Sequence, residues 1–170
     1  MFRRNKYLHF LEGIKPITKS KLTVKKILQM SDEELESNHN YIQWAFPTNE
    51  YSMFNVLATP LTDKERKRIM ASRRAMKNYK ALFARMMAFY NLHITEDEHK
   101  VLVPVKELHW LTPNNHNYLR ITRILKSLML LGETDLANSL YAALVEIYMD
   151  VDSNRKINMT SFAYWSNVCK

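Results

Sequence analysis

Three observations on this sequence predict an all-α fold. Glycine occurs twice and proline five times in 170 residues, so the turn chemistry that closes β-hairpins is scarce. Leu, Ala, Lys and Met, all strong helix formers, fill the chain, with ten methionines among them. Capping boxes of the Ser/Thr-x-x-Glu type stand at Ser31–Glu34, Thr62–Glu65 and Thr95–Glu98, each able to satisfy orphan amides at a helix start. The expectation is a single compact domain of about six or seven helices around a central buried helix.

Residues 2–12 read as a short amphipathic helix closed by Gly13, after which Pro16 turns the chain. A second short helix is predicted from Thr23 to Met30, with Val24, Ile27 and Leu28 inward and Lys25 and Lys26 outward. Ser31 caps a helix over 32–46 that Pro47 stops. Residues 48–60 look like a loop pinned by Tyr51 and Phe54. Thr62 launches the longest helix, to about Asn91, with Arg66, Arg73, Lys77 and Lys80 on one side. Ser72, Ala75, Met76, Tyr79, Leu82, Phe83, Met86 and Tyr90 lie on its other side, toward the core. Thr95–Glu98 opens a segment that Pro104 kinks or ends. Thr112-Pro113, a hydroxyl cap with proline at the first helical position, starts a helix to Leu131 that Gly132 terminates. A helix over Thr134–Met149, a polar linker at Asp152–Lys156 and a short helix over Thr160–Val168 complete the chain. Residues 1–150 are expected to form the main domain and 151–170 a C-terminal extension.

Apolar residues make up 46% of the chain, which suits a globular protein with a sizeable core. The apolar runs fall well short of the roughly 20 residues of a membrane span, and no signal-peptide core follows the first residues, so a cytoplasmic location is expected. Cys169, the sole cysteine, sits beside the C-terminus, which excludes an internal disulfide or thiolate cage and makes a poor nucleophile. The net charge is +8, and residues 63–85 hold nine of the 25 Lys and Arg against two of the 17 Asp and Glu. The basic excess therefore belongs to one helix. Its side chains Arg66, Arg73, Arg74, Lys77 and Lys80 suit a nucleic acid or an anionic membrane surface. They suit equally a solvated helix face that keeps the protein soluble.

Two polar stripes stand out. In the 32–46 helix Asp32, Glu36, His39 and Gln43 fall three or four residues apart; in the 113–131 helix His116, Arg120, Arg123 and Ser127 repeat that spacing. One stripe is acidic and the other basic, and the two helices are expected to pack together at the centre. On one reading Glu36, His39, Gln43, Trp44, His116, Arg120 and Arg123 form a groove for an anionic or peptidic ligand, with Trp44 or Trp110 stacking beside it. Two arginines at i, i+3 would grip a carboxylate or phosphate. On the other reading Asp32 and Glu36 pair with Arg120 and Arg123 purely to tie the helices together. The histidines lack a metal-site spacing such as His-Glu-x-x-His, and neither a nucleophile elbow nor a phosphate loop is present. No catalytic residue, metal or cofactor is expected.

The motifs Glu36…His39-Asn-Tyr-Ile-Gln-Trp44-Ala-Phe-Pro47 and His116-Asn-Tyr-Leu-Arg120-Ile-Thr-Arg123-Ile-Leu-Lys126 resemble those of the opioid growth factor receptor family's conserved N-terminal domain. Phe10-Leu-Glu-Gly13, Ser52-Met-Phe-Asn55, Met86-Met-Ala-Phe-Tyr90 and Trp110 follow in the family's order, so the likeness covers residues 7–148. The resemblance implies a compact, microbial-type member that is a non-enzymatic, receptor-like binding module for a peptide, protein or small anionic ligand. The family's animal founder is a receptor for methionine enkephalin at the nuclear envelope, which adds peripheral membrane association as an alternative location. The family supplies no catalytic or ligand-contacting residues to carry over. Two departures mark this chain: Ala45 replaces a large aliphatic residue, and Asn91 stands where the family often has Gly after Phe-Tyr.

Overall fold

A computed structural model describes residues 5–17, 19–52, 58–95, 97, 100–104, 107–150, 153 and 156–169. Among these, helices α1 (Lys6–Leu11), α2 (Val24–Leu28), α3 (Asp32–Ser37), α4 (Ile42–Ala45), α5 (Asp63–Ala71) and α6 (Arg73–Phe89) come first. Two short strands follow, β1 (His93–Ile94) and β2 (Val101–Leu102), then α7 (Asn117–Leu130), α8 (Thr134–Met149) and α9 (Met159–Val168). The architecture is all-α apart from that one small ladder. By packing, the chain divides into two units, Met1–Arg85 and Met86–Lys170, and the division falls within α6.

In the first unit the helix expected over 32–46 is two helices. The Ser31 box forms as read, with Glu34 N donating to Ser31 Oγ at 3.2 Å and Ser31 N to Glu34 Oε2 at 2.8 Å. α3 then stops, because Ser37 Oγ bonds back to Glu33 O and Asn38 turns extended and takes the amide of Asn40 on its own side chain. Short polar side chains offer the backbone this alternative to helix wherever several occur together. The long helix expected over 62–91 breaks in the same way. Ser72 is extended (φ −90°, ψ 105°) and ends α5. Its hydroxyl accepts from Ala75 N at 3.2 Å, capping α6, and donates to Glu12 Oε1 at 2.8 Å. These two breaks account for a helix count above the expected six or seven. Tyr51, expected to pin the loop, is 84% exposed; Phe54 lies outside the described residues, as do residues 2–4 of the first predicted helix.

In the second unit α6 ends in a Schellman turn. Asn91 adopts φ +55°, and Leu92 N donates to Met87 O at 2.9 Å. The asparagine thus takes the left-handed conformation that a glycine accepts without strain. Thr95, read as a helix cap, instead closes a turn between strands: Thr95 N donates to Lys100 O at 2.9 Å, and His93 and Ile94 pair antiparallel with Leu102 and Val101, while Glu96 lies outside the described residues. Glu98 lies outside the described residues. Val101 N donates to Ser139 Oγ at 2.8 Å, which ties β2 to α8. The helix expected from Pro113 starts at Asn117 instead, because Asn114 is left-handed (φ +56°) and Asn115 Oδ1 takes the amide of Asn117. α7 buries nine of its side chains and packs against both α8 and α9. Gly132 ends it at φ +81°. The predicted helices over 134–149 and 160–168 correspond to α8 and α9, whereas most of the predicted linker lies outside the described residues.

Asn91 yields a test. A left-handed residue with a Cβ and no local hydrogen bond costs about 1 kcal/mol or more. Asn91→Ala should therefore lower Tm by roughly 2–4 °C, while Asn91→Gly, which loses only the bond to Glu107 O, stays near the parent. Equal melting of the alanine variant and the parent would remove this account of the turn.

Candidate functional site

Pro47 stops α4 just after Ala45, and that short helix delivers Gln43 and Trp44 to the interior of the first unit. Trp44 is 3% exposed; its ring lies 5.4 Å from Tyr7 and 5.9 Å, edge-on, from Phe10. The half-buried Lys6 sets its ammonium 4.7 Å from the Tyr7 ring centre and 5.2 Å from that of Trp44, within cation–π range of both. Trp44 Nε1, Gln43 Oε1 and Thr48 Oγ1 are all buried and have no hydrogen-bond partner among the described residues. Such groups are rare in folded proteins, and each costs about 1–3 kcal/mol. The other two tryptophans behave ordinarily: Trp110 Nε1 donates to Tyr90 O at 2.9 Å and Trp165 Nε1 to Tyr118 O at 3.2 Å. The first unit thus places one donor, one acceptor and one hydroxyl with unspent hydrogen-bonding capacity within six residues of sequence.

Beside this group stands Glu65, which is buried at 6% exposure. Its Oε1 accepts from Tyr7 N at 2.7 Å and from Leu8 N at 3.3 Å, so a carboxylate on α5 serves the first orphan amides of α1. Tyr7 links the two features, since its amide donates to Glu65 and its ring packs on Trp44, while its hydroxyl donates to Thr59 O. Burial pushes the Glu65 carboxyl above its ordinary value, and the amides of Leu8 and Tyr7 with the charges of Lys6 and His9 pull it partly back.

The predicted polar stripe on 32–46 does not survive the break after Ser37. Asp32 and Glu36 lie on α3, His39 is exposed between helices, and Gln43 is buried on α4. Asp32, expected to pair with a guanidinium of the later helix, is held by Arg85 Nη2 at 2.7 Å, which also donates to Met30 O.

In the second unit Arg120 is 5% exposed and Arg123 half-buried, whereas His116 is exposed ahead of α7. The Asn117 Oδ1 atom accepts from Arg120 Nη1 and from the Tyr90 hydroxyl, each at 3.4 Å. Around this node rings meet edge to face, Tyr90 on Trp110, Trp110 on Tyr118 and Tyr118 on Trp165, with centres 5.6–6.2 Å apart. Burial pushes the Tyr118 phenol up to about 12, so it remains a donor, to Thr112 O at 2.7 Å. Trp110 is a core residue of this cluster. A cavity of about 240 Å³ is lined by Ala88, Asn91, Leu92, His93 and Pro104, none of them a predicted site residue. Among the described residues no three His, Cys, Asp or Glu side chains gather as a metal site would require, and no helix is long and apolar enough to cross a membrane. Burial pushes the Cys169 thiol up, away from a reactive thiolate.

Lys6, Tyr7, Thr48, Glu65 and Asn117 were missed by sequence reasoning. For Glu65 a signal existed, because Glu65, Ile69, Ser72 and Met76 share one helical spacing, which puts a carboxylate on an inward face.

The chain matches the family model described as the opioid growth factor receptor conserved region over residues 3–170. It is 37% identical over 103 residues to opioid growth factor receptor-like protein 1 of Rattus norvegicus, a match covering 59% of this chain and 22% of that protein. It is 38% identical over 102 residues to the opioid growth factor receptor of Rattus norvegicus, covering 58% and 17%. The Homo sapiens receptor is 38% identical over 106 residues, covering 58% and 15%. The matched region is therefore about a fifth, or less, of the length of these relatives. No solved structure matches the chain.

Glu65 sets a pH dependence. With its folded pKa raised, its contribution to stability is fully present below the unfolded carboxyl range and is lost as pH rises through the folded value. Glu65→Gln keeps an acceptor but does not ionise. The Tm of the parent minus that of Glu65→Gln should therefore be largest in acid and fall as pH climbs from about 4.5. Calorimetric scans from acid to neutral pH that show the opposite slope would reverse the sign of this assignment.

Proposed function

The chain belongs to the opioid growth factor receptor family through that family's conserved region, and from this we propose that it is a non-enzymatic binding module whose site is built on Gln43 and Trp44. The observation that supports the reading is the set of three unspent polar atoms at Trp44 Nε1, Gln43 Oε1 and Thr48 Oγ1. A peptide group carries one N–H and one C=O, so a peptide ligand could meet the Gln43 acceptor and the Trp44 donor together. Lys6 lies across the Tyr7 and Trp44 rings on a long flexible stem. In this proposal it is the movable cover, and its displacement admits the ligand to an aromatic wall. Glu36 and His39 flank the same stretch. His116, Arg120 and Arg123 enter as a separate basic group in the second unit, where two guanidinium groups one turn apart on α7 suit a carboxylate.

The names of the relatives support a receptor role for those proteins.

The test uses the three indole N–H signals of the ¹⁵N-labelled protein, with methionine enkephalin as probe. Addition of the peptide should shift the Trp44 signal and leave Trp110 and Trp165, whose N–H groups already have acceptors, in place. Trp44→Phe keeps a ring but removes the donor, and it should weaken binding by about tenfold, the usual worth of a desolvated hydrogen bond. A still Trp44 signal, or unchanged affinity in Trp44→Phe, refutes this site.

A further inference from the structure

The nine cations of residues 63–85 share their stretch with only two carboxylates, and the fold disposes of both. Glu65 is buried against the amides of α1. Asp63 is paired with Arg66 Nε at 3.2 Å. From the neighbouring α1, Glu12 is bonded to the Ser72 hydroxyl. Lys64, Lys67, Arg73, Arg74 and Lys77 are exposed, and among the described residues they form no ion pair or hydrogen bond. Arg68, also exposed, donates to Asn5 Oδ1 at 2.8 Å. Among the described residues these three carboxylates are thus engaged elsewhere than with the five exposed cations.

The break at Ser72 shapes this surface as well. On one continuous helix Lys64 and Arg73 would stand on opposite sides, because nine residues turn an α-helix by about two and a half turns. The extended Ser72 frees the α6 cations from the phase of those on α5.

We propose that the exposed faces of α5 and α6 bind the phosphodiester backbone of a duplex nucleic acid without reading its sequence. A bilayer surface fits less well. Surface helices that enter membranes need a free apolar face, whereas the apolar side of α6 in this unit, Ala75, Tyr79, Leu82 and Phe83, is buried. Met70 is the one large apolar side chain of residues 63–85 that is exposed among those described. Single strands also fit less well, since stacking needs surface aromatics and the aromatics of α6 here face inward. What is left is charge neutralisation, which any duplex backbone satisfies.

The experiment is fluorescence anisotropy of labelled duplex DNA and of duplex RNA of the same sequence, over a series of salt concentrations. Five free cations should give a slope of log K against log salt of about −4 to −5. Replacing Lys67, Arg73 and Lys77 together by Gln should reduce that slope by roughly 2 to 3. Replacing Lys19, Lys25 and Lys26 by Gln removes the same net charge from another exposed region and should leave the slope unchanged. DNA and RNA arms of equal affinity mark backbone recognition, and a preference for one names the source. No binding at low salt, equal losses in the two triple variants, tighter binding to a single strand, or tighter binding to phosphatidylserine vesicles than to either duplex overturns the proposal. Circular dichroism of both variants confirms that they are folded.

Discussion

The contact between Glu65 and the start of α1 is the constraint on which the first unit turns. A helix as short as α1 cannot hold itself together in water, because nucleation consumes more than so few hydrogen bonds return. Its first amides need an acceptor, and its own first turn supplies no acidic residue. The acceptor comes from 57 residues or more along the chain, as a carboxylate buried for the purpose. The Asn78 side chain does the converse at the other end, donating to Leu11 O at 2.6 Å. Both ends of α1 are thus satisfied by side chains of α5 and α6, which fixes the position of Tyr7 and Phe10 and so the wall against which Trp44 rests.

The tryptophans show what is unusual in that wall. Trp110 and Trp165 follow the rule for large amphipathic rings: the hydrocarbon is buried and the N–H finds a carbonyl. Both carbonyls belong to aromatic residues of the same cluster, Tyr90 and Tyr118, so ring packing and hydrogen bonding reinforce each other. Trp44 has the packing without the bond. Among the described residues the requirement is met at Trp110 and Trp165 and left open at Trp44 Nε1, Gln43 Oε1 and Thr48 Oγ1.

Much of this was legible from residue spacing. The cap at Ser31, the stop at Gly132, the α8 boundaries and the inward face of α6 follow from local rules whose signals lie within one or two turns. The breaks at Asn38 and Ser72 escaped because a polar residue on a helical face can either decorate it or end it. Ser72 ends α5 because a partner for its hydroxyl, Glu12, arrives from 60 residues away, and local pattern carries no trace of that. Glu65 was misread for a related reason. Its amide donates to Thr62 Oγ1, as a capping box requires, but its carboxylate goes to α1 instead of returning to the cap. At Ser31 both halves of the box close; at Thr62 a stronger claim on the carboxylate leaves it half made.

That half-made box joins the fold to the surface it presents. Had Glu65 returned to Thr62, it would sit at the exposed start of α5, three residues before Arg68, where opposite charges at that spacing attract. The basic surface would then be partly neutralised from within. Sending the carboxylate inward instead satisfies α1 and leaves Arg68, among the described residues, with Asn5 Oδ1 for a partner and no ion pair. The cost is the desolvation that pushes the Glu65 carboxyl upward; the return is an anchored helix beneath and an uncompensated row of cations above, from a single side-chain orientation.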